Sequence, residues 1–183
     1  MGINTLVADL NYGSNIGQIA RTHHVLGGES TLYLFDPRGI IHESADEVSR
    51  FSCGIFDNGQ HEIIDGIEAF LRGYRGRRIA TELSPDATPL TEFEFQDEDL
   101  ILFGNERVGL PGSVITTCDE TIIVPMLGAP YTKKDYRPEE PIKGVGEYPT
   151  FNIAATYAMV MYTAMAQLRA FKDFKWDCWK PEE

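Results

Sequence analysis

Four polar residues carry most of the chemistry this sequence offers. Asn15 and Arg21 stand six apart in GSNIGQIARTHHVLGG (13–28), Glu106 lies between the glycines of FGNERVG (103–109), and Asn152 opens TFNIAATYA (150–158). A carboxamide both donates and accepts, a carboxylate only accepts, and a guanidinium presents a planar fork of donors that matches phosphate. Together they could orient a hydroxyl and hold an anion. Each also has a plain structural reading. Asn15, with Gln18 three residues on, fits a helix cap and capping box; Asn152 or Thr150 fits the cap of the last helix; Glu106 fits a solvated turn. Arg21 falls about half a turn from the stripe Ile16, Ile19, Ala20, His23 and Leu26, which periodicity alone reads as solvent-facing.

The elements that must position these residues alternate. Strands are expected at Ile3–Leu10, Thr31–Phe35, Arg77–Thr81, Asp99–Phe103 and Thr121–Val124. Helices are expected at Ile16–Leu26, stopped by Gly27–Gly28, and at Ala45–Phe51, Glu62–Leu71, Ser113–Thr116 and Asn152–Ala170. That order predicts an α/β fold with a mainly parallel sheet in a single domain, 1–183. In such a sheet ligands gather beyond the carboxyl ends of strands, which makes the loop from Gly104 to Gly109 a candidate site. No Gly-Lys-Ser/Thr follows that loop, and no GxGxxG follows a strand, so neither a P-loop nor an ordinary dinucleotide site is supported. The segment at about 129–149 has proline, glycine and balanced charge without periodicity, and reads as a loop insert that is either solvated or a lid that grips a substrate.

Composition narrows the partners. The net charge of −12 opposes nonspecific attraction to nucleic acid. Arg72, Arg75, Arg77 and Arg78 nevertheless cluster, and Lys133 and Lys134 lie in the insert; these are the candidate phosphate contacts, with a basic helix end and turn as the competing reading of the arginines. The odd set Cys53, Cys118 and Cys178 suggests neither disulfides nor zinc and fits a reducing cytoplasm. The amino terminus lacks the pattern of a signal peptide, and the apolar run 153–168 is too short and too interrupted for a membrane span. Its helix has almost no polar face, so burial on more than one side is expected, with a partner subunit one way to cover the second; Met161 is one residue that could face such a partner.

Three segments, in order, resemble the SpoU-type RNA 2′-O-ribose methyltransferases of the SPOUT superfamily. They are NIGQIARTHHVLG, LILFGNERVGLP, and IIVPMLG followed by TFNIAATYA. The resemblance implies an α/β fold with a C-terminal trefoil knot, S-adenosyl-L-methionine as methyl donor, no metal, and a homodimer packed through the last helix. It implies catalytic roles for Arg21, Asn15, Glu106 and Asn152, and a cofactor cradle at Thr81, Gly104, Gly109, Val124, Met126 and Thr150. The substrate would be structured RNA, tRNA ahead of rRNA. Thr150 replaces the usual serine but keeps a hydroxyl, and the insert stands where a short connection is usual. A knotted RNA- or protein-binding module without catalysis, and methylation of a base instead of ribose, are the competing functions.

Overall fold

The computed structural model describes residues 2–84, 86–126, 150–168 and 171–172. Seven strands form one sheet: β1 (Asn4–Ala8), β2 (Leu32–Phe35), β3 (His61–Ile63), β4 (Arg78–Thr81), β5 (Thr88–Pro89), β6 (Leu100–Phe103) and β7 (Glu120–Ile123). Their order is β3-β2-β1-β6-β4-β7-β5, and every pairing is parallel. Buried strands of this kind read as continuous apolar runs, and Leu100–Ile101–Leu102–Phe103 is fully buried along its length. Proline ends the edge strand β5, where a missing N–H breaks no ladder.

Helices cover both faces. Ile101 and Phe103 point into a core shared with α1 (Gly13–Leu26), α3 (Ala45–Ser52) and α6 (Ile153–Gln167), while Leu100 and Leu102 meet α4 (Ile67–Gly73) and α5 (Gly112–Ile115). A single turn of helix, α2 (Ile40–Glu43), precedes α3.

Four details depart from the sequence reading. Residues 61–63 pair as β3, and the helix expected from Glu62 begins only at Ile67, after Gly66. The first helix begins at Gly13 with Tyr12 at its cap, and no side chain caps it; Gln18 instead donates to the Ser14 carbonyl oxygen. Asn15 is therefore inside the first turn and 95% buried, with a different role. Met161 is fully buried within its own protomer, so it cannot face a partner; the uncovered side of α6 shows Ala155 and Tyr162. The cap at Asn152 holds, its side chain accepting from the Ala154 N–H at 2.8 Å. No described helix is long and apolar enough to cross a membrane.

A buried polar chain ties α1, β1 and α6 together. The Ser30 carbonyl can only accept, so the His23 Nε2 facing it at 3.1 Å carries the ring proton. His23 Nδ1 then accepts from the Tyr157 hydroxyl at 2.7 Å, and the Thr5 hydroxyl donates to Tyr157 at 3.0 Å. Burial holds the His23 imidazole below its usual range. A folded state that disfavours the imidazolium binds fewer protons than the unfolded chain, so stability falls as pH drops below the unfolded value of 6.5. Thermal midpoints measured between pH 7.5 and 5 are expected to decline over that window, and to decline less steeply in His23→Asn.

Candidate functional site

The strand order sets the place. The connection from β1 runs outward toward β2, the connection from β6 runs toward β7, and β1 and β6 are neighbours. Their carboxyl ends therefore part at a topological switch point, the crevice where open α/β sheets bind ligands.

The loops leaving these two strands are laced together there. One oxygen of Glu106 accepts from the Asn11 backbone N–H and from its side-chain amide, both at 2.9 Å, while the other accepts from the Asn15 amide at 2.6 Å. Asn15 in turn accepts from the Asn152 amide at 3.1 Å. Asn105 shapes its own loop, accepting the Arg107 N–H at 2.8 Å and receiving the Asn11 amide at 3.1 Å. A Cβ at Gly104 would overlap the Gly109 carbonyl carbon and the Leu110 nitrogen, so the two ends of this loop close only around glycine.

Arg38 braces the first loop from outside. Its guanidinium donates to the Asp9 carboxylate at 2.6 Å, to the Asn11 side-chain oxygen at 2.8 Å, and to the carbonyls of Asp9 and Leu10 at 2.8 and 2.9 Å. Asp9 is held at φ 54°, a left-handed conformation that aspartate tolerates better than most residues. Asn11, Asn105 and Arg38 were not singled out from sequence. Asn11 precedes Tyr-Gly and Arg38 sits in Asp-Pro-Arg-Gly, both of which read as ordinary turns.

The candidate cofactor residues fall on adjacent strand ends: Thr81 closes β4, Gly104 follows β6, and Val124 and Met126 follow β7, with β4 paired to both neighbours. The Thr81 hydroxyl is buried and has no hydrogen-bond partner among the described residues. An unpaired buried donor at the ligand edge of a parallel sheet is what a polar ligand would satisfy, so these residues fit a nucleoside-type cofactor. Gly109 adopts φ 69° in the same cradle, and Thr150 lies two residues before Asn152.

Other candidates are not brought to this edge. Arg77 and Arg78 stand at the opposite, amino end of β4, where Arg77 pairs with Asp99 at 2.8 Å and Arg78 with Asp119 at 3.0 Å. Arg72 and Arg75 lie in α4 and just after it. Arg21 is exposed on α1 and has no hydrogen bond or ion pair with another described residue. Lys133, Lys134, most of the insert and Cys178 lie outside the described residues.

The model of the SpoU rRNA Methylase family matches residues 3–130, which include β1 through β7 and both loops of the switch point. The chain belongs to this SpoU family. Among curated SpoU-like relatives, the tRNA (guanosine(18)-2′-O)-methyltransferase of Escherichia coli K12 is 25% identical over 107 residues, covering 58% of this chain and 39% of its own. The tRNA (cytidine(34)-2′-O)-methyltransferase of Ancylobacter novellus is 28% identical over 115 residues, covering 61% and 70%. The chain thus spans about two fifths of the first of these relatives and more of the second. A solved structure described as giving insights into 2-OH methylation of C/U34 on tRNA superposes with a TM-score of 0.71 at 24% identity, covering 92% of this chain and 97% of that one. The SpoU methyltransferase AviRb from Streptomyces viridochromogenes, solved in complex with AdoMet, gives 0.67 at 21% identity, covering 91% and 60%. These superpositions establish the SpoU fold.

Proposed function

We propose that this protein is an S-adenosylmethionine-dependent RNA 2′-O-ribose methyltransferase acting on structured RNA, tRNA ahead of rRNA. The observation that carries the reading is the Glu106–Asn15–Asn152 chain, which draws one residue from each of the three SpoU-like segments to a single switch point. The curated relatives' names support ribose as the methylated group and tRNA as the substrate class.

Methyl donors of this kind supply an electrophilic methyl on a sulfonium. The protein's part is positioning, because an attacking hydroxyl must sit in line with that methyl in a site shielded from water. Asn15 and Asn152 each have a carboxamide locked by a named partner, and Glu106 fixes the loops on both sides. Asn152 is the exposed member of the three and the one accessible to a ribose. Arg21, exposed on α1 and outside that hydrogen-bonded chain, is assigned to clamp a phosphate of the bound RNA. Thr81, Gly104, Gly109, Val124, Met126 and Thr150 would hold the donor's nucleoside, and a C-terminal trefoil knot is inferred with them. Two copies pair through the uncovered side of α6, where Tyr162 is 59% exposed; sedimentation at micromolar concentration is expected to show a dimer.

Mass-spectrometric mapping of nucleosides in total tRNA and rRNA, with and without the protein, tests the function. Loss of one 2′-O-methyl nucleoside is expected. Unchanged ribose methylation in both pools would overturn the reading, and loss of a methylated base would move it to base chemistry.

A further inference from the structure

The Asn–Glu chain at the switch point leaves one carboxylate on the ligand edge unused. Glu82 follows β4 directly, and its N–H donates to the Ile122 carbonyl at 3.0 Å, which seats it between β4 and β7. Its side chain turns to the β6 loop: one oxygen accepts from the Leu110 N–H at 3.0 Å, the other from the Leu83 N–H at 3.1 Å. Gly109 makes room for it, since a Cβ there would lie 2.5 Å from the nearer Glu82 oxygen. The carboxylate is thus built into the notch where β4, β6 and β7 end, one residue after Thr81, whose hydroxyl has no partner among the described residues.

Among the described residues no cation pairs with Glu82, and burial pushes its carboxyl up, an effect only partly offset by the two backbone N–H groups. An ionised carboxylate can accept about four hydrogen bonds, so two amides leave acceptor capacity free. A half-buried carboxylate kept without a countercharge is costly unless a ligand brings the opposite charge. Perturbed carboxylates in a cleft are characteristic of working sites.

Resting on the methyltransferase reading above, we propose that Glu82 is a specificity residue for the charge of the methyl donor, favouring the cationic sulfonium form over its neutral thioether product. S-adenosylmethionine carries a net positive charge that S-adenosylhomocysteine lacks, and the two are otherwise nearly the same shape. In a water-poor notch one such charge difference is felt over several ångströms without direct contact. Release of the spent product is eased for the same reason, because its transfer of the methyl group removes the charge that Glu82 holds.

Calorimetric affinities of the intact protein for S-adenosylmethionine and for S-adenosylhomocysteine test the proposal. Glu82→Gln keeps the shape and an acceptor for the Leu110 N–H but removes the charge. It is expected to lower the donor-to-product affinity ratio about tenfold, chiefly by weakening the donor. Glu82→Asp, which restores the charge, is expected to return the ratio to within about threefold of wild type even if both ligands bind less tightly. Equal weakening of both ligands by Glu82→Gln would show that Glu82 only holds the Gly109–Leu110 turn, and would overturn the proposal while leaving the methyltransferase reading in place. A wild-type protein that binds neither ligand would overturn both. If Glu82→Gln does not fold, Glu82→Asp alone still decides: a ratio that falls as far as tenfold there overturns the charge account.

Discussion

Replacing Glu106 with alanine is expected to lower single-turnover methyl transfer by at least ~10²-fold and to destabilise the protein as well. The carboxylate accepts three hydrogen bonds, two from Asn11 and one from Asn15. Hydrogen bonds to charged groups contribute about 1.5–3 kcal/mol each, and removing the acceptor leaves the buried Asn15 amide with an unmet N–H. Because the donors are partly rehydrated, a net loss of about 3 kcal/mol is expected, or roughly 6–12 °C in the thermal midpoint for a chain of this size. The activity loss has a separate origin. With Glu106 gone, Asn15 is no longer held, Asn152 loses its fixed acceptor, and the loops after β1 and β6 are free to part. Glu106→Gln separates the two effects: it keeps one acceptor oxygen, is expected to recover more than half of the lost midpoint, and remains slow in transfer because Asn11 and Asn15 cannot both be satisfied. Thermal melts of all three forms, with transfer followed under saturating RNA and donor, check this. Wild-type transfer in Glu106→Ala would remove the carboxylate from the site.

Arg21→Ala is expected to show the opposite signature, a comparable or larger loss of transfer with stability unchanged within ~0.5 kcal/mol. The side chain is exposed and bonds to no described residue, so its removal leaves no gap and no orphaned partner. A phosphate clamp acting near developing charge is worth ~10²–10³ in rate. Arg21→Lys discriminates among roles. Lysine keeps the charge and loses the planar fork, so a clamp is weakened and shows the same pH dependence as wild type, whereas a group that itself takes the 2′-hydroxyl proton would be nearly abolished and its pH profile moved. The clamp outcome is expected, because a guanidinium stays protonated and offers no acceptor. The check is single-turnover transfer against pH for wild type, Arg21→Lys and Arg21→Ala. Full transfer by Arg21→Ala would return Arg21 to the solvated role that periodicity assigns it.

The contrast between these residues marks what the sequence could show. The alternation of apolar runs made the parallel sheet legible, and the buried run Leu100–Phe103 was placed correctly as a strand. The helix expected at Glu62–Leu71 failed because His61–Ile63 is an edge strand too short and too polar to carry a period-2 signal, with two of its three residues exposed. Asn15 was named as a candidate, but its helix cap was wrong: a cap needs only local spacing, whereas the bond that occupies Asn15 comes from Glu106, 91 residues away. Asn11, Arg38 and Glu82 were missed for the same reason. Apart from the Leu83 N–H on Glu82, their partners come from elsewhere in the chain, and a turn asparagine or a strand-end glutamate carries no periodic mark of what it will touch.

Separation along the chain also sets when the site can exist. Glu106 meets Asn15 across 91 residues, and Asn15 meets Asn152 across 137. Contacts this distant are formed only after the loop-closure entropy of the intervening chain has been met, which places them late in folding. During synthesis the first three helices and three strands can collapse long before the helix at residue 153 is available, and in that interval Asn15 lacks its Asn152 partner. A nascent chain therefore exposes an unfinished crevice, and the series is complete only when Asn152 docks onto Asn15.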